Sequence, residues 1–197
     1  MKIEIRHGFA EADRAEVARL YWQAFGPKLG RVLQPDGSAL AFIGRVMRAD
    51  HALVAYDQQG QVLGVAGFKS ADGAFVGGKP GDLQAIYGWF GGQWRAALLN
   101  LLSRDLENVR FLMDGLFVRD DQRGLGVGSA LLEAICAEAA QRGYAEVRLD
   151  VVDSNPRAKK LYERHGFRTV AVARLGLLRH LFGFVASAAM VRTVAKR

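Results

Sequence analysis

The chain has 197 residues, of which 50% are hydrophobic and 24% charged. That is ordinary globular composition, and it excludes a disordered chain, a collagen-like repeat and a small disulfide scaffold. The net charge of +7 favours an anionic partner (nucleic acid, a membrane surface or a phosphorylated ligand) without choosing among them.

Cys136 is the one cysteine, so neither an intrachain disulfide nor a multi-cysteine metal site can form. No secretory signal is read, because residues 1–6 run straight into an alternating pattern. No apolar run reaches membrane-spanning length. A cytoplasmic protein without a metal is therefore expected, organised as one domain over 1–197.

Residues 2–6 alternate as a strand does. Residues 10–25 carry Ala15, Ala18, Leu20, Tyr21, Trp22 and Phe25 at helical spacing, and Gly26-Pro27 should stop that helix. A turn at Pro35-Asp36-Gly37-Ser38 precedes a shorter helix over 39–48. The apolar runs 51–56 and 62–68 flank Asp57-Gln58-Gln59-Gly60 and predict a hairpin. Gly64 and Gly67 in its second strand mark a bulge or a close backbone approach. Residues 70–81 are glycine-rich and irregular. The next stretch holds Tyr87, Trp89, Phe90 and Trp94, with Trp94, Ala97, Leu98 and Leu101 at helical spacing.

A buried strand is predicted over 110–118, then a polar, glycine-rich connection over 119–128. Val127, Ala130, Leu131, Ala134 and Ile135 form a helical stripe that ends at Arg142-Gly143. Val147, Leu149 and Val151 alternate with charges as a strand, and Asn155-Pro156 opens a helix that ends before Gly166. Strands over 167–175 and 187–194 close the chain. The order β-α-α-β-β-(insert)-β-α-β-α-β-β predicts an α/β (α+β) domain with a mixed sheet.

Arg123-Gly124-Leu125-Gly126-Val127-Gly128-Ser129 lies between a strand and a helix. Glycines there let a ligand approach the backbone, and the amides and dipole of a helix start favour an anion. A plain glycine-rich connection remains the alternative. The loop lacks the Gly-Lys-Ser/Thr of a P-loop, and Arg119-Asp120-Asp121-Gln122 separate it from the strand, unlike a Rossmann turn.

Leu116-Phe117-Val118 followed by Arg123-x-x-Gly126-x-Gly128 resembles the acyl-CoA signature of the GNAT superfamily of N-acyltransferases. A second match follows at the expected distance: Asn155-x-x-Ala158-x-x-Leu161-Tyr162-x-x-x-Gly166-Phe167. The resemblance is specific over 112–170, topological over the first 70 residues, and absent over 71–108. It implies a three-layer domain with a mixed, splayed central sheet flanked by helices. About 40 residues intervene where the family usually has a short hairpin, so 71–108 is an atypical insertion.

By the resemblance, Leu116, Phe117 and Val118 pair with the pantetheine arm of acetyl-CoA, and the amides of Arg123, Gly124, Leu125, Gly126, Val127, Gly128 and Ser129 hold its pyrophosphate. Arg157, Lys159 and Lys160 either serve the 3′-phosphate or are a solvated helix face. Asn155 is an N-cap that can also bond the pantetheine amides. Tyr162 is either a core aromatic beside Leu161 or, by the resemblance, the tyrosine that faces the thioester sulfur. Cys136, mid-helix beside Ile135, reads as a buried apolar residue rather than a nucleophile. The family often places a carboxylate base on this strand; its glutamate position falls near Leu112, which cannot act. Asp114 is the best substitute, because side-chain alternation puts it on the face of Leu116 and Val118; a structural or surface aspartate is the alternative. His165 reads as a cation at a helix C-terminus.

These features imply transfer of an acetyl group from acetyl-CoA to a primary amine by direct attack. The acceptor is a small molecule or a peptide or protein amine, and the protein is a candidate homodimer. A non-catalytic acyl-CoA sensor is the alternative. A basic nucleic-acid-binding module is disfavoured, because Trp89, Phe90 and Trp94 are not interleaved with lysines. The aromatic, glycine-rich insertion is expected either to form part of the acceptor pocket, or to pack against the sheet as an accessory core or cover a dimer interface.

Overall fold

The computed structural model describes residues 2–102, 110–176 and 183–194. Its mixed sheet of eight strands runs β1-β2-β3-β5-β6-β8-β7, with the short β4 paired to β3. The strands are β1 (Glu4–His7), β2 (Ala52–Tyr56), β3 (Val62–Ser70), β4 (Gly73–Ala74), β5 (Phe111–Val118), β6 (Glu146–Val152), β7 (Arg168–Arg174) and β8 (Ala186–Thr193). The helices are α1 (Arg14–Leu33), α2 (Asp36–Val46), α3 (Pro80–Leu102), α4 (Val127–Gln141) and α5 (Pro156–Arg164).

Apolar residues on two faces of the central strands build two cores. Leu53, Ala55, Phe111, Met113 and Leu149 pack with Leu131, Leu132 and Ile135 of α4. Val54, Val65 and Phe117 pack with Val17 and Leu20 of α1 and Phe42 and Ile43 of α2. Strands buried on both faces have to be continuously apolar, as β2 and β3 are. Helix, sheet, helix is the three-layer result.

The sheet is two antiparallel blocks. β1, β2, β3 and β5 form one; β6, β8 and β7 form the other. The parallel pair β5 and β6 joins them, registering Phe111 with Val147 and Leu112 with Arg148. A parallel pair needs a long crossover, and α4 supplies it.

Two elements depart from the sequence expectation. α1 does not stop at Gly26-Pro27 but runs to Leu33. Its last turn is held from outside. The Tyr87 hydroxyl donates to the Leu33 carbonyl, while Arg95 donates to the Val32 carbonyl at 2.7 Å and the Gln34 carbonyl at 3.2 Å. These partners satisfy carbonyls that a helix end leaves open. α3 begins at Pro80, well before the helical spacing that the sequence shows from Trp94. Gly88 alone breaks α3, at φ 73° and ψ 170°, and Gly92 packs so closely that a Cβ there would lie 2.6 Å from the Gln84 backbone. Residues 103–108 of the insertion and His180 lie outside the described residues.

The expected close approach in β3 is present. A Cβ built on Gly64 would sit 2.6 Å from the Phe117 carbonyl oxygen, and one on Gly67 would sit 2.3 Å from the Phe75 ring. A ring can yield; a ladder carbonyl cannot without disturbing its neighbours. Gly64→Ala should therefore destabilise the protein by about 1–3 kcal/mol in chemical denaturation, the range for overpacking a core. Wild-type stability would show that the two strands move apart freely.

Candidate active site

The site begins where the β5–β6 ladder ends. Among the described residues the parallel register stops at Leu112 and Arg148. Beyond it β5 stays with β3 while β6 stays with β8. The two strands diverge, and backbone groups of residues 113–118 on that edge have no strand partner. An extended ligand with amide groups can take that edge as an added strand.

A bulge lies in the same segment. Gly67 of β3 faces Gly115 and Phe68 faces Met113, so Asp114 is the extra residue. The bulge reverses the alternation. Before it, Phe111 and Met113 point into the α4 core; after it, Leu116 and Val118 do, while Phe117 points to the α1 side. The expectation that Asp114 shares a face with Leu116 and Val118 is corrected accordingly. Asp114 turns toward α1, where its carboxylate lies 3.3 Å from Nζ of Lys69. Burial, and then the Asp114 charge, push the Tyr21 hydroxyl well above the ordinary tyrosine range.

Sequence reasoning missed both Tyr21 and Lys69. Tyr21 reads only as one more apolar member of the α1 stripe, and Lys69 as a strand end. Gly115 was missed too. A Cβ there would lie 2.4 Å from the Phe117 ring and 3.2 Å from Phe25, so aromatic rings from α1 and β5 close over the bulge.

On the opposite face the chain turns from β5 into α4. Residues 120–122 form one 3-10 turn, and Gly124 and Gly126 follow at φ 86° and 87°. Both need glycine for the backbone alone, since a Cβ at either meets nothing within 4 Å. Open space in front of both glycines is what a bound anion requires. Gly126 caps α4 without any side-chain partner, so the amides of its first turn point outward. Val127 is buried, Leu125 exposed, and Arg123 pairs with Asp120 at 2.5 Å. Gly128 lies where three elements meet: its Cβ position is 3.4 Å from Leu161, 3.6 Å from Leu116 and 3.7 Å from Val118. The predicted pantetheine strand, the predicted pyrophosphate loop and α5 thus converge on one residue.

α5 starts as predicted. The Asn155 side-chain oxygen accepts from the Ala158 amide at 3.1 Å, leaving its amide group as the donor for other partners. Tyr162, one side of the helix further on, is 6% exposed and sits in the α4 core beside Phe167. Burial pushes its hydroxyl up to about 12. Arg157, Lys159 and Lys160 are exposed on the same helix. His165 stands at the C-terminal cap of α5, where the sequence put it, and also hydrogen-bonds across to α4, with Ser129 at 3.0 Å and Glu133 at 2.7 Å.

Trp89 and Phe90 of the insertion meet edge to face with centroids 4.7 Å apart, at the corner that Gly88 makes, and both are exposed. Trp94 stacks on Arg95. No group of three or more metal-ligating side chains is found among the described residues, and no helix of the described chain is long and apolar enough to cross a membrane.

The profile of the acetyltransferase (GNAT) family matches residues 14–167. The chain belongs to that family. A thialysine N-epsilon-acetyltransferase from Bos taurus is 31% identical over 61 residues, which is 31% of this chain and 36% of the relative; the Sus scrofa enzyme of that name matches to the same extent. The match therefore spans about a third of those relatives' length. A structure described as histone acetyltransferase HPA2 and related acetyltransferase, from Corynebacterium glutamicum, aligns at TM-score 0.66 and 21% identity over 100% of this chain and 99% of its own. An N-acetyltransferase from Staphylococcus aureus aligns at TM-score 0.66 and 16% identity over 96% and 100%. At these identities the likeness carries the fold alone.

Within this GNAT fold Cys136 is sequestered in the α4 core, and burial pushes its thiol up to about 11. At pH 8 a thiol of that acidity is roughly a hundredfold less ionised than an ordinary cysteine. Labelling by a disulfide reagent should be slower than that of free cysteine by at least about a hundredfold while the protein is folded, and should become fast in denaturant. Fast labelling of the native protein would place the thiol at the surface.

Proposed function

We propose that this protein transfers an acetyl group from acetyl-CoA to a primary amine, by direct attack of the amine on the thioester. The observation that carries the reading is the opening between β5 and β6, with the glycine-led start of α4 on one face and Asp114 on the other. The residues fit the coenzyme. Leu116, Phe117 and Val118 offer a strand edge for the pantetheine arm, and the turn from Arg123 to Ser129 offers outward amides and the open space before Gly124 and Gly126. Asn155 keeps an amide donor at the start of α5, and Arg157, Lys159 and Lys160 supply cations nearby.

The acceptor enters from the α1 side, where Tyr21, Phe25, Lys69 and Asp114 lie. An attacking amine has to be neutral, and a lysine-like amine with a pKa of about 10.4 is almost wholly protonated at pH 7. Asp114 would take the proton that the nitrogen loses, directly or through water. As the carbon–nitrogen bond forms and the carbon–sulfur bond breaks, the sulfur gathers negative charge and finally takes a proton. In this reading Tyr162 donates a hydrogen bond there. A tyrosine near 12 facing a thiol near 8.5 would have to climb about 3.5 units, or about 5 kcal/mol, to give its proton away completely. Its role is therefore a hydrogen bond to developing charge, with the sulfur's proton arriving later.

The insertion belongs to the acceptor side as well, because Ile86, Tyr87, Ala96 and Leu99 pack on the α1 core. Its contribution runs through that packing, since Trp89 and Phe90 stand at an exposed corner.

Two variants test the two halves of the reading. Gly126→Val sets a β-branched residue at φ 87° and puts methyl groups where the anion should lie. Acetyl-CoA affinity, measured by calorimetry on protein shown to be folded, should drop by tenfold or more; unchanged affinity removes the loop from the coenzyme site.

Tyr162→Phe keeps the ring and its packing. Release of free thiol from acetyl-CoA should slow by roughly ten- to a thousandfold, with coenzyme affinity preserved, as for loss of one donor to developing charge. The assay belongs on a panel of primary amines that includes thialysine, the substrate in the names of the two relatives. A wild-type protein that binds acetyl-CoA and releases no thiol with any amine would be a sensor rather than an enzyme.

A further inference from the structure

Ser129 is the third residue of α4, so it stands one turn inside the helix start that faces the proposed pyrophosphate. Its hydroxyl oxygen lies 3.0 Å from Nε2 of His165, and Nδ1 of that ring lies 2.7 Å from Oε1 of Glu133. Arg192 of β8 then grips Glu133 with both terminal nitrogens, at 2.7 and 3.1 Å. The four side chains tie the start of α4, the end of α5 and a strand of the second block into one line.

The protons in that line are determined by its ends. The Arg192 guanidinium, and then the His165 ring, hold the Glu133 carboxyl below the ordinary range, so it only accepts. Nδ1 of His165 therefore carries its hydrogen in either charge state, and Nε2 is the nitrogen that gains or loses a proton. When Nε2 is bare, the Ser129 hydroxyl must donate to it. When Nε2 is protonated, the ring donates, and the hydroxyl hydrogen turns to a different acceptor. The charged groups facing the ring across the helix interface are the Glu133 carboxylate from α4 and, behind it, the Arg192 guanidinium from β8. Cys136, next to Arg192, has its thiol pushed up to about 11 by burial and stays neutral. Glu163 and Arg164 precede the ring on its own helix.

We infer that His165 is a positioning residue for the coenzyme: protonated on Nε2, it frees the Ser129 hydroxyl to donate to the pyrophosphate and sets a positive charge behind it. This rests on the coenzyme reading of residues 123–129. Binding then takes up a proton at His165, and affinity rises as pH falls. Charge-assisted donors to phosphate are the strong ones, which makes an effect of about tenfold the expectation.

The test uses 3′-dephospho-coenzyme A, because the 3′-phosphate of the full coenzyme loses its own second proton near pH 6 and would push affinity the other way. Calorimetric titration of the full chain from about pH 5.5 to 8.5, in two buffers of different ionisation heat, reads affinity and proton uptake together. In the wild type, affinity should weaken about tenfold as pH rises, and binding should take up protons. His165→Gln keeps an amide that can reach Ser129 and cannot titrate there, so affinity should be flat and uptake absent. Ser129→Ala keeps the ring and loses the donor, so the slope should be shallower and low-pH affinity weaker.

A wild type without proton uptake overturns the inference and needs no variant to do so. So does a slope that survives unchanged in His165→Gln, which would assign it to another group. Failure of folded wild-type protein to bind either coenzyme form at any pH would instead overturn the coenzyme reading itself.

Discussion

Among the described residues, two rungs of parallel pairing join this molecule's two antiparallel blocks, and the free strand edge begins where they end. Phe111 with Val147 and Leu112 with Arg148 make the ladder between the antiparallel blocks. Beside that ladder Arg110, just before β5, donates to Glu146 of β6 at 2.6 Å, and each block twists with its own neighbours. A ladder that continued to Val118 and Val152 would seal the sheet and leave no free strand edge. One that stopped earlier would leave α4 packed on two unconnected slabs. The apolar burial of α4, from Val127 to Ala139, bridges the blocks and permits so short a ladder to suffice.

The bulge at Asp114 adds the second constraint. One extra residue reverses the alternation of β5, so the strand sends Leu116 and Val118 to the face of the glycine loop and Asp114 to the face of α1. Without the bulge, the parity of Leu116 and Val118 would send Asp114 to their own face. Gly67 and Gly115 flank the irregularity, and rings from Phe75, Phe117 and Phe25 occupy the space their missing side chains leave.

Much of this was legible in the sequence, for local reasons. The helix start at Gly126, the cap at Asn155 and the hairpin about Asp57 are each encoded within a few residues, so the elements around them come out nearly in place. The glycine motif and the Asn155-to-Phe167 motif carry the family resemblance for the same reason. What failed was non-local. Gly26-Pro27 is a sound stop signal, yet Tyr87 and Arg95, some sixty residues away, hold α1 together past it. The facing of Asp114 depends on a register shift against β3, which alternation along β5 cannot reveal. Lys69, Tyr21 and the line from Ser129 to Arg192 are meetings of distant segments, with no spacing of their own to announce them.

The grip of Tyr87 and Arg95 on the end of α1 also bears on how such a chain can diversify. Phe25, one of the rings over the bulge, sits only two turns before the carbonyls those side chains hold. α3 is therefore a structural strut for the end of α1 rather than a detachable ornament. A lineage that shortened it would have to supply new donors for Val32, Leu33 and Gln34 or accept a frayed α1. Sequence drift in α3 and the course of α1 beside Phe25 are bound to travel together.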